Sequence, residues 1–335
     1  MMTKDKFKDL LEKELYKTAG RSIEQSDNSE IYIGLGNVLK EIIGQQWSLR
    51  NKLYNDNNMK QVYYLSMEFL MGKFTKTNLD YLNLYNMVEE ALEEINFSLE
   101  DIIEEEVDPG LGNGGLGRLA AAFMDSLASL SMPGHGYGIR YEKGLFKQII
   151  EVGKQIEEPD KWLSKTNIWE YKRENEEYQV KIGGDIVTTG FGEELEFSHV
   201  NYQKVKAVPY DIPIVGYRNN CVNTLRLWSA ESYNDVNFND FARGNFHHSY
   251  KDINMVKSLT EFLYPDDSTM EGKKLRLKQE YFLVSATIQD IICKYKKRQL
   301  SLLELDKYIA IQINDTHPVL AIPELMRILV DDEGL

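Results

Sequence analysis

The stretch Tyr308-Ile-Ala-Ile-Gln-Ile-Asn-Asp-Thr-His-Pro318 carries the clearest fold signal in the chain. The short apolar run Tyr308 to Ile313, bounded by polar turn residues, is typical of a buried parallel strand. Pro318 and Pro323 then lie near the start of a predicted final helix that ends around Val330, a position where proline is tolerated. The pattern therefore predicts a parallel strand that leads through a polar turn into a helix.

The polar turn Asn314-Asp-Thr-His-Pro318 is a candidate binding site, because ligands of open parallel sheets lie beyond the carboxyl ends of the strands. Three polar side chains there could hold hydroxyl groups. The alternative is purely structural: Asp315 or Thr316 caps the helix, and His317 is a histidine with an internal partner.

A second signal, Gly110-Leu-Gly-Asn-Gly-Gly-Leu-Gly117, leads directly into a predicted helix over 118–130. Glycines let backbone N–H groups approach a ligand, and a helix N-terminus adds a positive dipole, so the segment predicts an anion site. It also matches Gly-x-Gly-x-x-Gly in two registers. A dinucleotide-binding function, as in an oxidoreductase, is disfavoured because that fingerprint needs a preceding strand and Glu104–Pro109 is not one. A glycine-rich turn that packs a helix closely remains the structural alternative.

The remaining candidates are acidic. Glu68, Asp266 and Asp267 could supply the paired carboxylates that glycoside chemistry uses. The chain holds 53 acidic residues, so such a set is weak evidence alone. The basic run Lys294, Lys296, Lys297 and Arg298 is explained by a helix C-terminus, where cations are favourable.

Elsewhere, hydrophobic spacing predicts a short opening helix that includes Phe7–Leu15. The region 134–230 is predicted to be rich in strands, and helices return from Phe238 to Lys296. The other predicted elements are helices over 31–54, 78–95 and 99–107 and a strand over 61–66.

Composition narrows the class of protein. The 335 residues carry a formal charge of −14, so the surface should repel nucleic acid and anionic membranes. Cys221 and Cys293 lack the spacing of metal ligands, and free thiols favour a reducing compartment. No apolar run is long enough to span a bilayer and the N-terminus has no signal-peptide pattern, so we expect a cytoplasmic protein.

Several blocks, in order along the chain, resemble the α-glucan phosphorylases of the glycogen, starch and maltodextrin type. The resemblance runs from about Val38 to the end. The blocks are Tyr63-Tyr-Leu-Ser-Met-Glu-Phe-Leu-Met-Gly72, Gly110–Ala120, Tyr137-Gly-Ile-Arg-Tyr141, Gly216-Tyr-Arg-Asn-Asn220, Leu225-Arg-Leu-Trp-Ser-Ala230, Leu275-Arg-Leu-Lys-Gln-Glu-Tyr-Phe282 and Asn314–Pro318.

The resemblance implies an α/β fold of the glycosyltransferase B type, with two Rossmann-like domains across a cleft. It also implies pyridoxal phosphate as cofactor. Inorganic phosphate would attack the end of an α-1,4-glucan and release glucose 1-phosphate with retention, and the cofactor's phosphate would donate the proton.

The resemblance also assigns roles to individual residues. Gly114 and Gly115 would present amides to the substrate phosphate, and with His317 they form the expected catalytic set. Asn113 and Leu116 would lie beside the glucosyl unit.

Glu68, Asp315 and His317 would line the pocket next to that sugar. Asp267 would belong to a gate loop, in which Ser268 replaces the Asn of mammalian members.

The resemblance divides the chain into an N-terminal helical segment, 1–60, and a Rossmann-like domain, 61–335, with a β-rich insertion over about 134–230. That domain is expected to be incomplete, and the second domain and the cofactor lysine are expected beyond Leu335. The fragment alone should then be inactive and unable to bind pyridoxal phosphate covalently. The alternative is a non-catalytic sugar-binding or regulatory fragment. Complete members are commonly homodimers.

Mammalian members carry two arginines where this chain has Cys293 and Lys294. Arginine makes planar, bidentate contacts with phosphate that neither residue reproduces. We therefore expect the AMP site of the mammalian enzymes to be absent.

Overall fold

A computed structural model describes residues 2–192 and 195–335. Two helices open the chain, α1 (Lys4–Thr18) and α2 (Asn28–Asp56), and their apolar faces share one hydrophobic core with the sheet. Asp27 caps α2 by accepting a hydrogen bond from the Glu30 N–H, as expected for an acidic N-cap. Both predicted helices are confirmed. The proposed domain boundary at residue 60 stays a prediction.

A mixed sheet forms the centre of the molecule. Strands β1 (Gln61–Leu65), β2 (Gly134–Ile139), β10 (Val222–Ser232) and β11 (Ile309–Ile313) are linked by parallel pairings in the order β11-β1-β2-β10. The predicted strand over 308–313 is thus confirmed as parallel, and its partner is β1. It occupies one edge of the sheet and is only partly buried.

The strand-rich region supplies the other half of this sheet. Strand β9 (Gln203–Val215) pairs with β10 in an antiparallel hairpin, and β5 (Tyr171–Lys172) and β6 (Tyr178–Ile182) pair with β9. Four further strands form two separate hairpins: β3 (Lys147–Glu151), β4 (Lys154–Glu158), β7 (Asp185–Thr189) and β8 (Glu196–Val200). The β-rich character of 134–230 is confirmed, and most of it belongs to the main sheet.

Helices cover the sheet. They are α3 (Phe74–Tyr81), α4 (Tyr85–Glu93), α5 (Leu99–Glu104), α6 (Gly115–Ser129), α7 (Phe238–Ala242), α8 (Phe246–Ser249), α9 (Lys251–Glu261), α10 (Met270–Lys297), α11 (Leu305–Tyr308) and α12 (Ala321–Arg327). The predicted single helix over 78–95 is wrong: it is two helices, because Asn83 adopts a left-handed conformation with φ 57°. Asparagine tolerates this region better than most residues.

The final helix is preceded by a 3₁₀ turn over His317–Leu320 and followed by a π turn over Ile328–Asp332. Pro318 lies in the first turn, as expected. Within the described residues, no helix is long and apolar enough to cross a membrane.

Candidate functional site

Two loops meet at the carboxyl ends of β1 and β11. Since these strands are parallel neighbours, the segments that follow them, 66–73 and 314–316, emerge at the same edge of the sheet. The Asn314 N–H continues the pairing by donating to the Leu65 carbonyl at 2.9 Å. This is the position at which open α/β sheets bind ligands.

The glycine loop, residues 110–117, is hydrogen-bonded to the segment that follows β1. The Phe69 N–H donates to the Leu111 carbonyl at 2.8 Å, and the Leu70 N–H donates to the Gly117 carbonyl at 3.0 Å. The Asn113 N–H donates to Oε2 of the buried Glu68 at 2.8 Å. The loop follows coil rather than a strand, which agrees with the argument against a dinucleotide fold.

The glycines of this loop divide into two kinds. A Cβ on Gly112 would lie 2.8 Å from Leu70, and one on Gly117 would lie 3.0 Å from the Glu68 Cβ. Those two glycines allow close packing, as the structural alternative required. A Cβ on Gly114 or Gly115 would have no neighbour within 4 Å. The two interpretations of the loop therefore apply to different glycines.

Helix α6 begins at Gly115, and its N-cap, Gly114, provides no side-chain hydrogen bond. The first amides of an α-helix have no partner inside the helix. Gly115, the first residue of the helix, lies in the exposed stretch Asn113–Gly115. The local geometry therefore leaves donors and a helix dipole free for an anion.

Asn314 joins the two loops. Its side-chain amide donates to Ser66 Oγ and to the Leu116 carbonyl, both at 3.1 Å. The side chain is buried, so these bonds fix the polar turn after β11 against the start of α6. Sequence reasoning gave Asn314 no individual role, although its place directly after a predicted strand was a usable signal.

His317 has an internal partner, as the structural alternative predicted, but the sequence did not identify that partner as Glu280. Its Nδ1 lies 3.0 Å from Oε1 of Glu280 on helix α10, and its Nε2 lies 3.7 Å from Oδ2 of Asp315. Asp315 has a left-handed backbone, φ 62°, and an exposed side chain. Thr316 is the N-cap but forms no side-chain cap bond, so the predicted capping role is not seen.

The segment before α10 reaches the same site through Tyr264. Its hydroxyl donates to Oε1 of Glu68, so both carboxylate oxygens of Glu68 have partners. The Arg276 guanidinium lies 5.3 Å from the centre of the Tyr264 ring and donates to the Leu263 carbonyl at 3.3 Å. Tyr264 and Arg276 were not identified from the sequence.

Asp267 stands apart from these contacts. It lies in an exposed turn, three residues after Tyr264. In the same turn, Ser268 donates its N–H to Oδ1 of Asp266 at 3.0 Å, and hydrogen bonding from Ser268 lowers the pKa of Asp266. A carboxyl group with a lowered pKa is ionised at neutral pH and is a poor general acid. This argues against Asp266 as the acid of a hydrolytic pair.

The structure thus places Glu68, Asn113 and Leu116 on the glycine-loop side of the site, with Gly114 and Gly115 at its open end. Asp315 and His317 lie on the turn after β11, and Asn314 links that turn to the start of α6. The available groups are amide donors, carboxylate acceptors and one imidazole. Sugar hydroxyls and an anion match this set. In the part of the chain described here, no cluster of three or more His, Cys, Asp or Glu could hold a metal ion.

Comparisons with known proteins identify the family of this chain. Residues 92–335 match the carbohydrate phosphorylase family. The chain is 48% identical to the glycogen phosphorylase of Bacillus subtilis over 333 residues, which cover 99% of this chain and 41% of that protein. It is 45% identical to the Haemophilus influenzae glycogen phosphorylase, with 99% and 40% covered. It is 44% identical to the liver form of human glycogen phosphorylase, with 91% of this chain and 37% of that protein covered. The chain thus spans about two fifths of the length of these relatives.

Proposed function

Because the chain belongs to the carbohydrate phosphorylase family, we propose that it is the N-terminal part of an α-1,4-glucan phosphorylase. Inorganic phosphate attacks the end of the glucan and glucose 1-phosphate is released. The proposal includes a glycosyltransferase B architecture, in which this α/β unit, with its β-rich insertion over about 134–230, forms one wall of the catalytic cleft.

The open start of helix α6 is the observation that carries the proposal. Gly114 and Gly115 leave space for an anion at a helix N-terminus. Preorganised amides stabilise the charge of a phosphate without reorganising during the reaction. Adjacent carboxylates and the imidazole of His317 suit sugar hydroxyls, so the donors for phosphate and the acceptors for sugar are neighbours.

The other site residues act on the sugar in this proposal. Asn113 and Leu116 contact the glucosyl unit, because they flank the open glycines. Glu68 and Asp315 accept hydrogen bonds from its hydroxyls. Asp267 belongs to a gate loop, which fits its exposed turn three residues after Tyr264, the residue that contacts Glu68.

Pyridoxal phosphate is proposed as the cofactor of the complete enzyme. When bound, it would supply a phosphate group that can act as a proton donor. Among the described residues, the side chains shown against the glycine loop are Glu68, Leu70, Asp160, Trp162 and Asn314. None of these five can form a covalent link to the cofactor, because none is a lysine. Lys294, on helix α10, is already paired with Asp290 at 2.8 Å. The lysine that forms the link is therefore assigned to the part of the enzyme outside residues 1–335.

The partners proposed are an α-1,4-glucan, inorganic phosphate, the C-terminal domain and a second subunit in a homodimer. The compartment proposed is the cytoplasm. The groups described here do not distinguish glycogen from starch or maltodextrin, because all three end in the same α-1,4-linked glucose.

The proposal is tested by incubating the full-length protein with maltodextrin, inorganic phosphate and pyridoxal phosphate. Glucose 1-phosphate should form only when phosphate is present, and free glucose should not. Residues 1–335 alone should form neither product and should gain no mass after borohydride reduction with the cofactor. Hydrolysis without phosphate, or product formed by residues 1–335, would contradict the assignment.

A further inference from the structure

We propose that Glu280 is a positioning residue that fixes the imidazole of His317 so that Nε2 faces the sugar pocket as a hydrogen-bond acceptor. The juxtaposition is a carboxylate of α10 against the ring nitrogen of the turn that follows β11. The expected effect of Glu280 on catalysis rests on the proposed function, whereas its effect on the tautomer and orientation of His317 does not.

The geometry around the ring defines the tautomer. Oε1 of Glu280 lies 3.0 Å from Nδ1, which is hydrogen-bonding distance, whereas Oδ2 of Asp315 lies 3.7 Å from Nε2, which is not. An ionised carboxylate can only accept, so Nδ1 must carry the proton in this bond. In a neutral ring, Nε2 then has a free lone pair on the side of Asp315.

The carboxylate of Glu280 is held more firmly than the histidine. Glu280 lies within the 28-residue helix α10, and its side chain is only 17% exposed. Arg276, one turn earlier, places its Nε 3.7 Å from the same Oε1 atom. His317, by contrast, starts a short 3₁₀ turn. Groups built on long helices are positioned more accurately than groups on loops, so the helix orients the ring.

The helix at this point is itself anchored to the segment that contacts Glu68. The Gln279 side chain donates to the carbonyls of Leu259 at 3.2 Å and Phe262 at 3.1 Å. Arg276 donates to the Leu263 carbonyl. Gln279 and Arg276 therefore link helix α10 to the segment that contacts Glu68. This packing fixes the position of the Glu280 carboxylate, which in turn orients the imidazole.

This arrangement has a consequence for specificity. Nε2 of a neutral His317 and the Asp315 carboxylate are both acceptors, so together they select a group that donates, such as a sugar hydroxyl. A site built to accept a hydroxyl proton rejects an analogue without that hydroxyl, because its own polar groups stay unpaired. Loss of Glu280 lets the ring rotate or change tautomer and weakens this selection.

The structural arm of the test uses nitrogen-15 NMR of the histidine side chains in residues 1–335. At pH 9, well above the ordinary histidine pKa of about 6.5, His317 should show the Nδ1–H tautomer. Glu280→Ala should shift it toward the Nε2–H form, and Glu280→Gln, which keeps an acceptor oxygen, should retain Nδ1–H. Glu271→Ala, on the same helix with an 83% exposed side chain, is the matched control. An unchanged tautomer in Glu280→Ala overturns the proposal.

The functional arm compares glucose 1-phosphate with analogues that each lack one hydroxyl, in the full-length protein. Glu280→Ala should lower kcat/KM for the normal sugar roughly tenfold, the size expected for one lost hydrogen bond, and should leave one deoxy analogue almost unaffected. His317→Ala should have the same effect. Glu280→Gln should recover most of the loss. Equal losses with every analogue would overturn the proposed selection. Absence of any phosphorolysis in the unmodified protein would instead refute the proposed function, and the NMR result would still decide the role of Glu280.

Discussion

Buried charged side chains are paired within the protein near the amino ends of the parallel strands, whereas backbone donors are left open at the carboxyl ends. Toward the amino ends, a cavity of about 820 Å³ is lined by Gln61 of β1, His135 of β2 and Arg226 of β10. Arg226 is only 3% exposed and donates to Asp211 at 2.7 Å and to Asp290 at 2.9 Å. At the carboxyl ends, Gly114 and Gly115 leave open space at the start of α6.

The comparison separates groups that stabilise the fold from groups available for chemistry. A buried guanidinium must be matched by acids, because an unpaired charge in the interior costs several kcal/mol. The Arg226 network meets that requirement within the protein. The amides of α6 can be left without a protein partner because they are exposed, and this is the condition an anion site needs.

The ion pairs of Arg226 with Asp211 and Asp290 are called the amino-end network here. Breaking this network should have the largest effect on stability. Asp290→Ala removes a partner of Arg226 and of Lys294, so it should lower the free energy of unfolding by about 3–5 kcal/mol. Chemical denaturation of the chain measures this. Glu176→Ala is the control, since Glu176 also contacts Arg226, at 2.6 Å, but is 41% exposed. Its loss should stay below about 1 kcal/mol. Equal losses in the two variants would contradict the distinction between buried and exposed partners.

At the carboxyl end the expected effect is on turnover and not on stability. Gly115→Val in the full-length protein places a side chain where phosphate would approach, and losing one preorganised donor costs about 3 kcal/mol, or roughly a hundredfold in rate. The variant should still fold, because a Cβ at 115 meets no atom within 4 Å. Initial rates of phosphorolysis and a thermal unfolding curve measure both quantities.

Gly117→Val, two residues further on, is the matched comparison for Gly115→Val. Its Cβ would lie 3.0 Å from the Glu68 Cβ and 3.2 Å from the Leu70 nitrogen, so stability itself should fall. Near-normal phosphorolysis by Gly115→Val would remove the phosphate role from the loop. A stable Gly117→Val would show that the close contact between the loop and Glu68 can relax.

The parts of this comparison differ in how far the sequence could predict them. Local patterns predicted α1, α2, β1 and β11 and the helix after the glycine loop, because periodicity and glycine content are read over a few residues. The helix break at Asn83 was missed, although asparagine is a residue that tolerates φ 57°. Recognised motifs gave the site residues, whose roles remain predictions.

Contacts between distant residues could not be predicted in this way. Asp211, Arg226 and Asp290 are separated by many residues, and no local pattern marks them as partners. The Glu280–His317 bond joins a helix and a turn that are 37 positions apart. Such pairs depend on the packing of whole elements, which single-sequence patterns do not contain.

Acid should destabilise the amino-end network in two stages. Burial, with the nearby charge of Lys294, lowers the pKa of His135 to about 3. The unfolded chain takes up this proton near pH 6.5, so stability falls as the pH decreases from about 6.5 toward 3. Lys294 and Arg226, working against burial, lower the pKa of Asp290 to about 2. Its contribution is present above about pH 4 and is lost as the pH falls toward 2.

Denaturation curves between pH 7 and pH 4.5 test the first stage, in which we expect a loss on the order of 2 kcal/mol. His135→Gln removes the titrating group and should flatten this part of the profile, because glutamine stays neutral in both states. Gln61, whose Oε1 lies 2.8 Å from His135 Nε2, can still pair with it. An unchanged slope in His135→Gln would assign the acid sensitivity to other groups.

The smallest expected effect is that of AMP, which should not activate the full-length enzyme. The cavity toward the amino ends contains Lys294, one of the two positions where mammalian members carry arginine. Its Nζ is 2.8 Å from Oδ2 of Asp290 and 3.1 Å from the Tyr137 hydroxyl, so its charge is already paired inside the protein. The other position, Cys293, has a side chain without charge. A planar, bidentate contact with a phosphate is therefore not available from either residue.

This prediction is tested by initial rates of phosphorolysis with and without AMP, measured at limiting and at saturating phosphate. The ratio of the two rates should stay close to one at both concentrations. The informative variant is Cys293→Arg combined with Lys294→Arg, which restores the pair of guanidinium groups while Asp290 can still pair with one of them. Activation that appears only in the double variant would show that these two positions account for the missing response. A several-fold rise in the unmodified enzyme would show instead that other cations at the amino ends of the strands bind the nucleotide phosphate, and that the charges there are less completely paired than those around Arg226.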